Sequence, residues 1–345
     1  MTKRNVLVGA IVVFSTLVSS FAFYAYQVLF TPNFLTETEG DKPFIIEKAA
    51  TFKDVQNSLY DNGYVTDLVS FSFLAKLMNY HEAVKPGYYI IRKDMSNIEA
   101  IRMLRAGLQQ PVDITFSNVR LMSELPEKLS KNLMMSEEEL RALLLSDSVA
   151  EAYGFTQQTF ISMFIPNTYE VYWTITGKAF LDRMHSEYTK FWSAQRKEKA
   201  DALGMTPVQV STLAAIVQAE SIKGEESATI AGLYLNRLKK GMPLQADPTL
   251  KFALGDFAIQ RLLLKDLEID SPYNTYRNAG LPPGPINMPT IQNIDAVLNY
   301  EKHKYLYMCA REDFSGYHAF ATNLIDHNKN AKRFQDALNK AKIFR

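Results

Sequence analysis

The hydrophobic pattern of the chain begins with one long apolar run. After Lys3 and Arg4, no charged residue occurs between Asn5 and Phe30. A helix over residues 6–30 would be about 37 Å long, enough to cross a bilayer core of about 30 Å with some tilt. Because basic residues favour the cytoplasmic side, the run predicts one span with a cytoplasmic N-terminus. The alternative is a cleaved signal peptide, but the run is longer than a usual signal core and lacks an A-x-A site. Both interpretations export the remainder of the chain.

Beyond this run, strand and helix periodicities form a small block and then a large one. Within the small block, Thr51 precedes an amphipathic helix, and Ser96 and Glu99 have capping-box spacing before another helix. Its order is strand, helices, strand, helix, and "KPGYYII" resembles a LysM-like glycan-binding module. A plain α+β spacer is the alternative. The predicted segments are a cytoplasmic stub (1–5), a transmembrane helix (6–30), a linker (31–43), a LysM-like module (44–108) and a larger mixed domain (109–345).

The larger block mixes helical and extended patterns, so the predicted fold class is α+β. "PVDITF" and "KYLYMCARED" alternate like strands, and "SMFIPNTYEVYW" reads as an extended aromatic segment. "FLDRMHSEYTKFWSAQRKEKADAL" predicts one long helix. These elements place the chemistry-bearing residues on helix ends and loops.

One helix carries its apolar stripe into a carboxylate. Thr206 and Gln209 have capping-box spacing, and Leu213, Val217 and Glu220 then share one face. Burial at the edge of a core raises the pKa of a carboxyl group. A protonated acid near neutral pH is what glycosidic bond cleavage requires. The alternative is a structural glutamate paired with an arginine.

The segments after this helix suit a polar binding groove. Arg237 borders the apolar face of the next helix and is expected to reach a carboxylate or a substrate. Asp247 could be a helix N-cap followed by proline, which leaves Gln245 unexplained. A loop of about twenty residues, "SPYNTYRNAGLPPGPINMP", is long enough to be functional, and its Tyr, Asn and Pro content suits sugars. Further along lie His318 and Asn323.

Composition narrows the classes of partner. The 345 residues include 38 basic and 37 acidic side chains, for a net charge of +1, so no strong field favours nucleic acid. The single cysteine, Cys309, excludes an intrachain disulfide and leaves no cysteine-based zinc site.

Four segments together resemble the YceG-like (MltG-like) family of endolytic murein transglycosylases. They are "IVQAES", "AGLYLNRLKKGMPLQADPTLKFALG", "SPYNTYRNAGLPPGPI" and "HAFATNLIDHNK", in family order. The resemblance covers most of residues 44–345 and includes the single N-terminal span. It implies a membrane-anchored enzyme that cleaves peptidoglycan between N-acetylmuramic acid and N-acetylglucosamine and leaves 1,6-anhydromuramyl ends. No cofactor and no metal are implied; cell-wall synthases are expected partners, and the inner membrane is the expected location.

By this resemblance, Glu220 matches the catalytic acid and base. Gln245, Asn274 and Asn323 are candidates for dipoles around a positively charged transition state, and Tyr273 and Tyr276 for sugar-stacking walls. The remaining residues expected to bind substrate or support the site are Ser221, Asn236, Arg237, Asp247, Thr275 and His318.

The chain departs from the family at three places. Gln218 and Ser221 stand where the family often has glutamate and threonine, which leaves Glu220 as the one carboxylate of that motif. Ser227 replaces a family arginine. The family's Glu-Gly is absent from residues 117–120, "SNVR".

Three other functions stay open at this point. A muramidase-type hydrolase would use Asp247 to position water. A noncatalytic glycan-binding protein of the envelope would use the LysM-like module. A metal site at His318 and His327 is disfavoured because nine residues separate the two.

Overall fold

The computed structural model describes residues 3–36, 39–117, 119–221, 223–259 and 262–341. The α-helices are α1 Lys3–Phe30, α2 Phe52–Asp61, α3 Leu68–Leu77, α4 Asn97–Ala106, α5 Leu125–Ser130, α6 Glu137–Leu144, α7 Asp147–Ala152, α8 Gly177–Phe191, α9 Ala194–Ala202, α10 Pro207–Glu220, α11 Ser227–Lys239, α12 Asp247–Leu254, α13 Ile291–Leu298 and α14 Leu324–Lys340. The strands are β1 Pro32–Phe34, β2 Lys42–Ile46, β3 Gly87–Ile91, β4 Met95–Ser96, β5 Pro111–Thr115, β6 Thr168–Tyr172, β7 Tyr307–Ala310 and β8 His318–Ala321. The mixed α+β class predicted from the sequence is therefore confirmed.

The chain divides into two compact units. The first comprises Met1–Ile114, Asn132–Met135 and Glu170–Ile175, and the second comprises Thr115–Lys131, Ser136–Tyr169 and Thr176–Arg345. Within the described residues, the strands pair as four two-stranded sheets, β1 with β4, β2 with β3, β5 with β6 and β7 with β8.

In the first unit, α2, α3 and α4 pack with the antiparallel β2–β3 pair around one apolar core. The predicted caps form: Thr51 accepts a hydrogen bond from the amide of Asp54, and Ser96 and Glu99 form the expected capping box. The order strand, helix, helix, strand is the one that the sequence indicated, and the likeness to a LysM module stays a prediction.

Helix α1 is long and apolar enough to cross a membrane, by length and composition, and most of its apolar side chains are exposed, whereas Val28 near its end is buried. Its last turn enters the first unit, where Asn97 Nδ2 donates to the carbonyl of Val28 at 2.9 Å. The expectation of a linker at residues 31–43 is wrong, because β1 pairs with β4 and Phe34 is fully buried. Residues 37 and 38 of that segment lie outside the described residues.

The second unit is built around α10. Every residue from Val210 to Val217 is buried, so α10 is apolar on all sides and not a single stripe as predicted. Helices α11, α12 and α13 pack against it. Its N-terminus has the predicted capping box of Thr206 and Gln209. The helix therefore runs through the core and ends at Glu220.

Two element predictions need correction in this unit. The predicted long helix is two helices, α8 and α9, because the chain turns at Trp192, which is buried, and Ser193 caps α9 by accepting from the Arg196 amide. The predicted extended aromatic segment, residues 162–173, contains β6, but its first two residues belong to a 3-10 turn at Phe160–Met163. The long loop 271–289 contains no helix and no strand, as predicted.

Candidate active site

Glu220 is the last residue of α10, and its position follows from how that helix ends. The preceding two turns are buried, whereas Gln218, Ala219 and Glu220 emerge from the core. Ser221 is the C-cap, and its hydroxyl donates to the carbonyl of Lys223 at 2.5 Å. The carboxylate is thus half-buried at the edge of the core, on a rigid element.

A tyrosine on the neighbouring helix contacts this carboxylate. The hydroxyl of Tyr234, from α11, donates to Glu220 Oε1 at 2.9 Å, and the Tyr234 ring is buried. Burial raises the pKa of Glu220 to about 7, against the opposing effect of the Tyr234 hydrogen bond. The negative charge of Asp247 raises this pKa as well. Glu220 can therefore hold a proton near neutral pH and release it under nearly the same conditions.

Glu220 and several other predicted residues line one cavity of about 310 Å³. Its walls come from α10, α11, the start of α12, the long loop and the β7–β8 pair. The predicted residues in it are Glu220, Arg237, Gln245, Asp247, Tyr276 and His318, together with Leu233, Tyr234, Leu244, Met308, Cys309 and Ala310.

Asp247 and Tyr276 form one side of this cavity. The Tyr276 hydroxyl donates to Asp247 Oδ1 at 2.5 Å. Burial and then the Asp247 carboxylate raise the pKa of Tyr276, so its hydroxyl keeps its proton. Ala246 is the N-cap of α12, so Asp247 is the first helical residue and not the cap that the sequence suggested. A carboxylate in the first turn is favoured by the helix dipole.

Arg237 braces the loop that carries Gln245. Its guanidinium donates to the carbonyls of Leu306 at 2.6 Å and Leu244 at 2.8 Å, and to Gln245 Oε1 at 3.3 Å. Among the described residues, Arg237 forms no ion pair with a carboxylate, so of the two expected partners only contact with a substrate stays a prediction. Burial lowers its pKa. Its role within the protein is to hold three chain segments together under the cavity.

Gln245 has a left-handed backbone conformation, with φ of 51°. A non-glycine residue there costs about 1 kcal/mol or more and needs support from its surroundings. That support comes from the Gln245 amide, which donates to the Thr275 carbonyl at 3.0 Å. Thr275 also accepts from the Ala246 amide at 3.0 Å, and it is buried. Thr275 therefore positions the cavity wall from behind and does not line the cavity.

His318 is held by the carboxylate of Glu226, which lies immediately before α11. Glu226 is buried, and it accepts from the His318 amide at 2.9 Å and lies 2.8 Å from His318 Nδ1. This pairing fixes the ring of His318 at the cavity. Glu225 differs, because its side chain accepts from the Tyr317 hydroxyl at 2.6 Å and does not line the cavity.

Besides Ser221 and Thr275, four further predicted site residues do not line the cavity. Asn236 donates to the carbonyls of His303 at 2.8 Å and Tyr305 at 3.1 Å. Asn274 is fully buried and donates to Leu267 and Ile269 at 2.9 Å each, so it closes the loop instead of facing the cavity.

Tyr273 packs on Phe252 with ring centroids 4.6 Å apart, as part of the core. Asn323 is the N-cap of α14, where it accepts from the Asp326 amide at 3.0 Å. Neither residue lines the cavity. The structure therefore does not bring Tyr273 to a position for stacking on a sugar in the cavity, or Asn323 to a position beside the transition state.

The residue that sequence reasoning missed is Tyr234. It lies on the apolar face of α11, which the sequence indicated only as a core-facing surface. A buried tyrosine hydroxyl usually requires a hydrogen-bond partner. A core-facing tyrosine on the helix that follows Glu220 could therefore have been recognised as a hydrogen-bond partner for that acid.

A second cleft, of about 570 Å³, adjoins the same chain segments. Gln218 and Ala219, just before Glu220, form one wall, and Pro248, just after Asp247, forms another. The remaining lining residues are Val119, Arg120, Glu124, Lys251, Phe257, Ile286 and Asn287. The cavity and this cleft together border the C-terminus of α10 on two sides.

The histidines considered for a metal have other partners. His318 pairs with Glu226, and the His327 ring stacks on Tyr307 with centroids 5.3 Å apart. Within the described ranges, no three His, Cys, Asp or Glu side chains cluster as metal ligands.

Comparison with known proteins places this geometry in a family. The chain matches the YceG-like family over residues 44–333. It is 27% identical over 358 aligned residues to an endolytic murein transglycosylase of Streptococcus pneumoniae, which covers 92% of this chain and 63% of that protein. It is 37% identical over 162 residues to an endolytic murein transglycosylase of Bacillus subtilis, covering 47% of this chain and 43% of that protein. The chain thus spans less than two thirds of the length of these relatives.

A solved structure shows the same fold. The crystal structure of a yceG-like protein from Listeria monocytogenes superimposes with a TM-score of 0.55 at 24% identity, covering 84% of this chain and 98% of the other. The family match extends from the strand-helix module to the last helix and includes every residue of the cavity. The chain therefore belongs to the YceG-like family.

Proposed function

We propose that the chain is a membrane-anchored lytic transglycosylase that cleaves peptidoglycan glycan strands between N-acetylmuramic acid and N-acetylglucosamine. The observation that carries the proposal is Glu220, an acid with a pKa of about 7 at the wall of a polar cavity. Family membership and the names of the two relatives supply the substrate class. Cleavage within the strand is proposed from the same names.

The reaction needs one group that first gives and then takes a proton. Protonated Glu220 donates its proton to the glycosidic oxygen, and the bond from that oxygen to the muramyl anomeric carbon breaks. The Glu220 carboxylate then accepts the proton of the muramyl 6-hydroxyl while that oxygen bonds to the anomeric carbon, which yields the 1,6-anhydro ring. Because the nucleophile is part of the substrate, no second residue has to position water.

The cavity supplies electrostatic support for the positive charge that develops on the sugar. Asp247 presents a carboxylate whose orientation is fixed by Tyr276, and Arg237 holds the side-chain oxygen of Gln245 in place at the cavity wall. Tyr234 holds Glu220 in one orientation in both protonation states, since its hydroxyl can donate to either. Preorganised groups of this kind stabilise a transition state without rearranging during the reaction.

The proposed location is supported by α1. Its length and composition suit one membrane span, and Lys3 and Arg4 precede it. The N-terminus then lies in the cytoplasm, and the chain that follows α1 lies on the outer side of the cytoplasmic (inner) membrane. An enzyme anchored there would meet strands as they are made and limit their length beside the cell-wall synthases, with the 44–108 module available to hold glycan.

Hydrolysis by a muramidase mechanism is the second candidate. It is favoured by one observation, that Asp247 lines the same cavity as Glu220 and is near enough for its charge to raise the pKa of Glu220. Asp247 would then position water for attack on the anomeric carbon. The Tyr276 hydrogen bond to Asp247 occupies part of that carboxylate and disfavours this role.

The test uses the full chain in detergent with purified glycan strands. Wild type should release fragments with 1,6-anhydro ends, whereas Glu220→Gln should reduce the rate by about 10²-fold or more, the range expected for loss of a general acid–base group. Glu198→Gln is the matched control, because it makes the same change of charge and size at an exposed residue of α9 that lines neither the cavity nor the second cleft. Unchanged activity in Glu220→Gln, with the thermal midpoint preserved, contradicts the assignment.

A further inference from the structure

The second cleft contains two basic side chains whose charges are not balanced within it. Arg120 and Lys251 both line it. Within the described ranges, neither forms an ion pair with a carboxylate. Most other lining groups are apolar or carry no charge. The cleft therefore presents a net positive potential to a ligand.

The single acid of the cleft is already engaged. Glu124 accepts from the amides of Leu121 at 3.1 Å and Arg120 at 3.3 Å, which caps the turn before α5. Its carboxylate also lies 3.8 Å from the ammonium group of Lys128. These contacts compensate the charge of Glu124, so it does not neutralise the guanidinium of Arg120.

Arg120 is held in a defined orientation by an aromatic ring. Its guanidinium carbon lies 4.1 Å from the centroid of the Phe257 ring, a cation–π contact. Stacking of one face leaves the edge of the guanidinium, with its fork of N–H donors, open to a ligand. A planar carboxylate fits that fork with two parallel hydrogen bonds.

Lys251 connects the cleft to the reacting acid. It lies on α12, one turn after Asp247, and its charge is close enough to lower the pKa of Glu220. Ala219 and Pro248, which line the cleft, are the chain neighbours of Glu220 and Asp247, which line the cavity. A glycan strand bound at Glu220 would thus carry its substituents past both basic groups.

We propose that the cleft is a subsite for a carboxylate of the peptide attached to the glycan strand, bound by Arg120 and Lys251. This inference rests on the proposed function, since the peptide is present only if the substrate is peptidoglycan. The cleft then selects strands that still carry peptides over bare strands. It also distinguishes a free peptide carboxylate from its neutral carboxamide.

The experiment measures binding in the inactive Glu220→Gln full chain by calorimetry. The probes are two glycan tetrasaccharides that differ only in their peptides, one with free carboxylates and one with carboxamides. We expect the carboxylate probe to bind about tenfold more tightly, as one charge-assisted bidentate contact allows. Adding Arg120→Gln or Lys251→Gln should reduce that preference to less than threefold, whereas Arg120→Lys should retain part of it because the charge remains.

Lys240→Gln is the matched control, because Lys240 is an exposed lysine at the end of α11 that lines neither the cavity nor the cleft. It should leave the preference intact. Equal binding of the two probes, or an unchanged preference in Arg120→Gln, overturns the subsite alone. Failure of both probes to bind, together with wild type that cleaves no strands, overturns the proposed function and the subsite with it.

Discussion

The hydroxyl of Tyr234 donates a hydrogen bond to Oε1 of Glu220 at 2.9 Å, and both groups are positioned by helices that pack together in the core. This contact opposes the effect of burial on the pKa of Glu220, which nevertheless rises to about 7. The balance between the two effects sets the pH at which the acid can both donate and accept a proton.

Removal of this hydrogen bond should move the pH profile. In Tyr234→Phe, the carboxylate loses the donor that stabilises its charged form, so the pKa of Glu220 rises. Because the first step needs protonated Glu220, the alkaline limb of kcat/KM should move to higher pH. A pH–rate profile measured on both proteins checks the shift, and a limb that stays in place or moves to lower pH contradicts the role of Tyr234.

Glu220 should also make stability depend on pH. Burial raises its pKa from 4.5 to about 7, so the folded state binds its proton more tightly than the unfolded state does. The free energy of unfolding should therefore decrease as pH rises through this window, by at most roughly 3 kcal/mol, and stay constant above it.

Glu220→Gln removes that dependence because glutamine does not ionise. Relative to wild type, the variant should be more stable at pH 8 than it is at pH 5. Denaturant midpoints of the two proteins at both pH values give the comparison. An identical difference at the two pH values would show that Glu220 ionises as freely in the folded protein as in the unfolded chain.

Arg237 should contribute chiefly to stability through its main-chain contacts. Arg237→Met removes the donors to the carbonyls of Leu306 and Leu244 and leaves the Leu244 carbonyl buried without this donor, which should lower the free energy of unfolding by about 2 kcal/mol or more. Lys240→Met, which removes an exposed positive charge from the same helix end, should have little effect. Thermal midpoints compare the two, and equal midpoints contradict the bracing role.

Gly232 permits the close packing that positions α11. A Cβ atom at this residue would lie 2.3 Å from the carbonyl oxygen of Glu301, which is backbone and cannot move aside easily. Gly232→Ala should therefore cost about 1–3 kcal/mol and displace Tyr234, with loss of activity. Gly9→Ala is the control, because nothing lies within 4 Å of the added atom. Equal thermal midpoints for Gly232→Ala and wild type would contradict this packing constraint.

Sequence reasoning succeeded where the signal is local. The caps at Thr51, Ser96 and Thr206 depend on side chains a few residues apart, and all three form. The long loop was recognisable from its prolines and from the absence of periodicity. Glu220 drew attention because its helix ends in a carboxylate, but the helix alone left a structural glutamate open; its role as the catalytic acid came from the family resemblance and stays a prediction.

The features of the fold and the site that the sequence did not predict depend on contacts between residues far apart in the chain. Glu226 and His318 are 92 positions apart, and no local pattern indicates their pairing. Asn274 and Asn323 looked like available amides, but the fold uses one to close a loop and the other to cap a helix. Phe34 appeared to belong to a polar linker until its partner strand, β4, was known.

The most direct test of the central claim is the source of the oxygen at the new chain ends. The full chain should be incubated with glycan strands in water labelled with oxygen-18, and the products weighed by mass spectrometry. If the muramyl 6-hydroxyl attacks, the new ends are 1,6-anhydro, lack one water and carry no label. Reducing ends that contain oxygen-18 would show that water attacks instead, and would contradict the transglycosylase account.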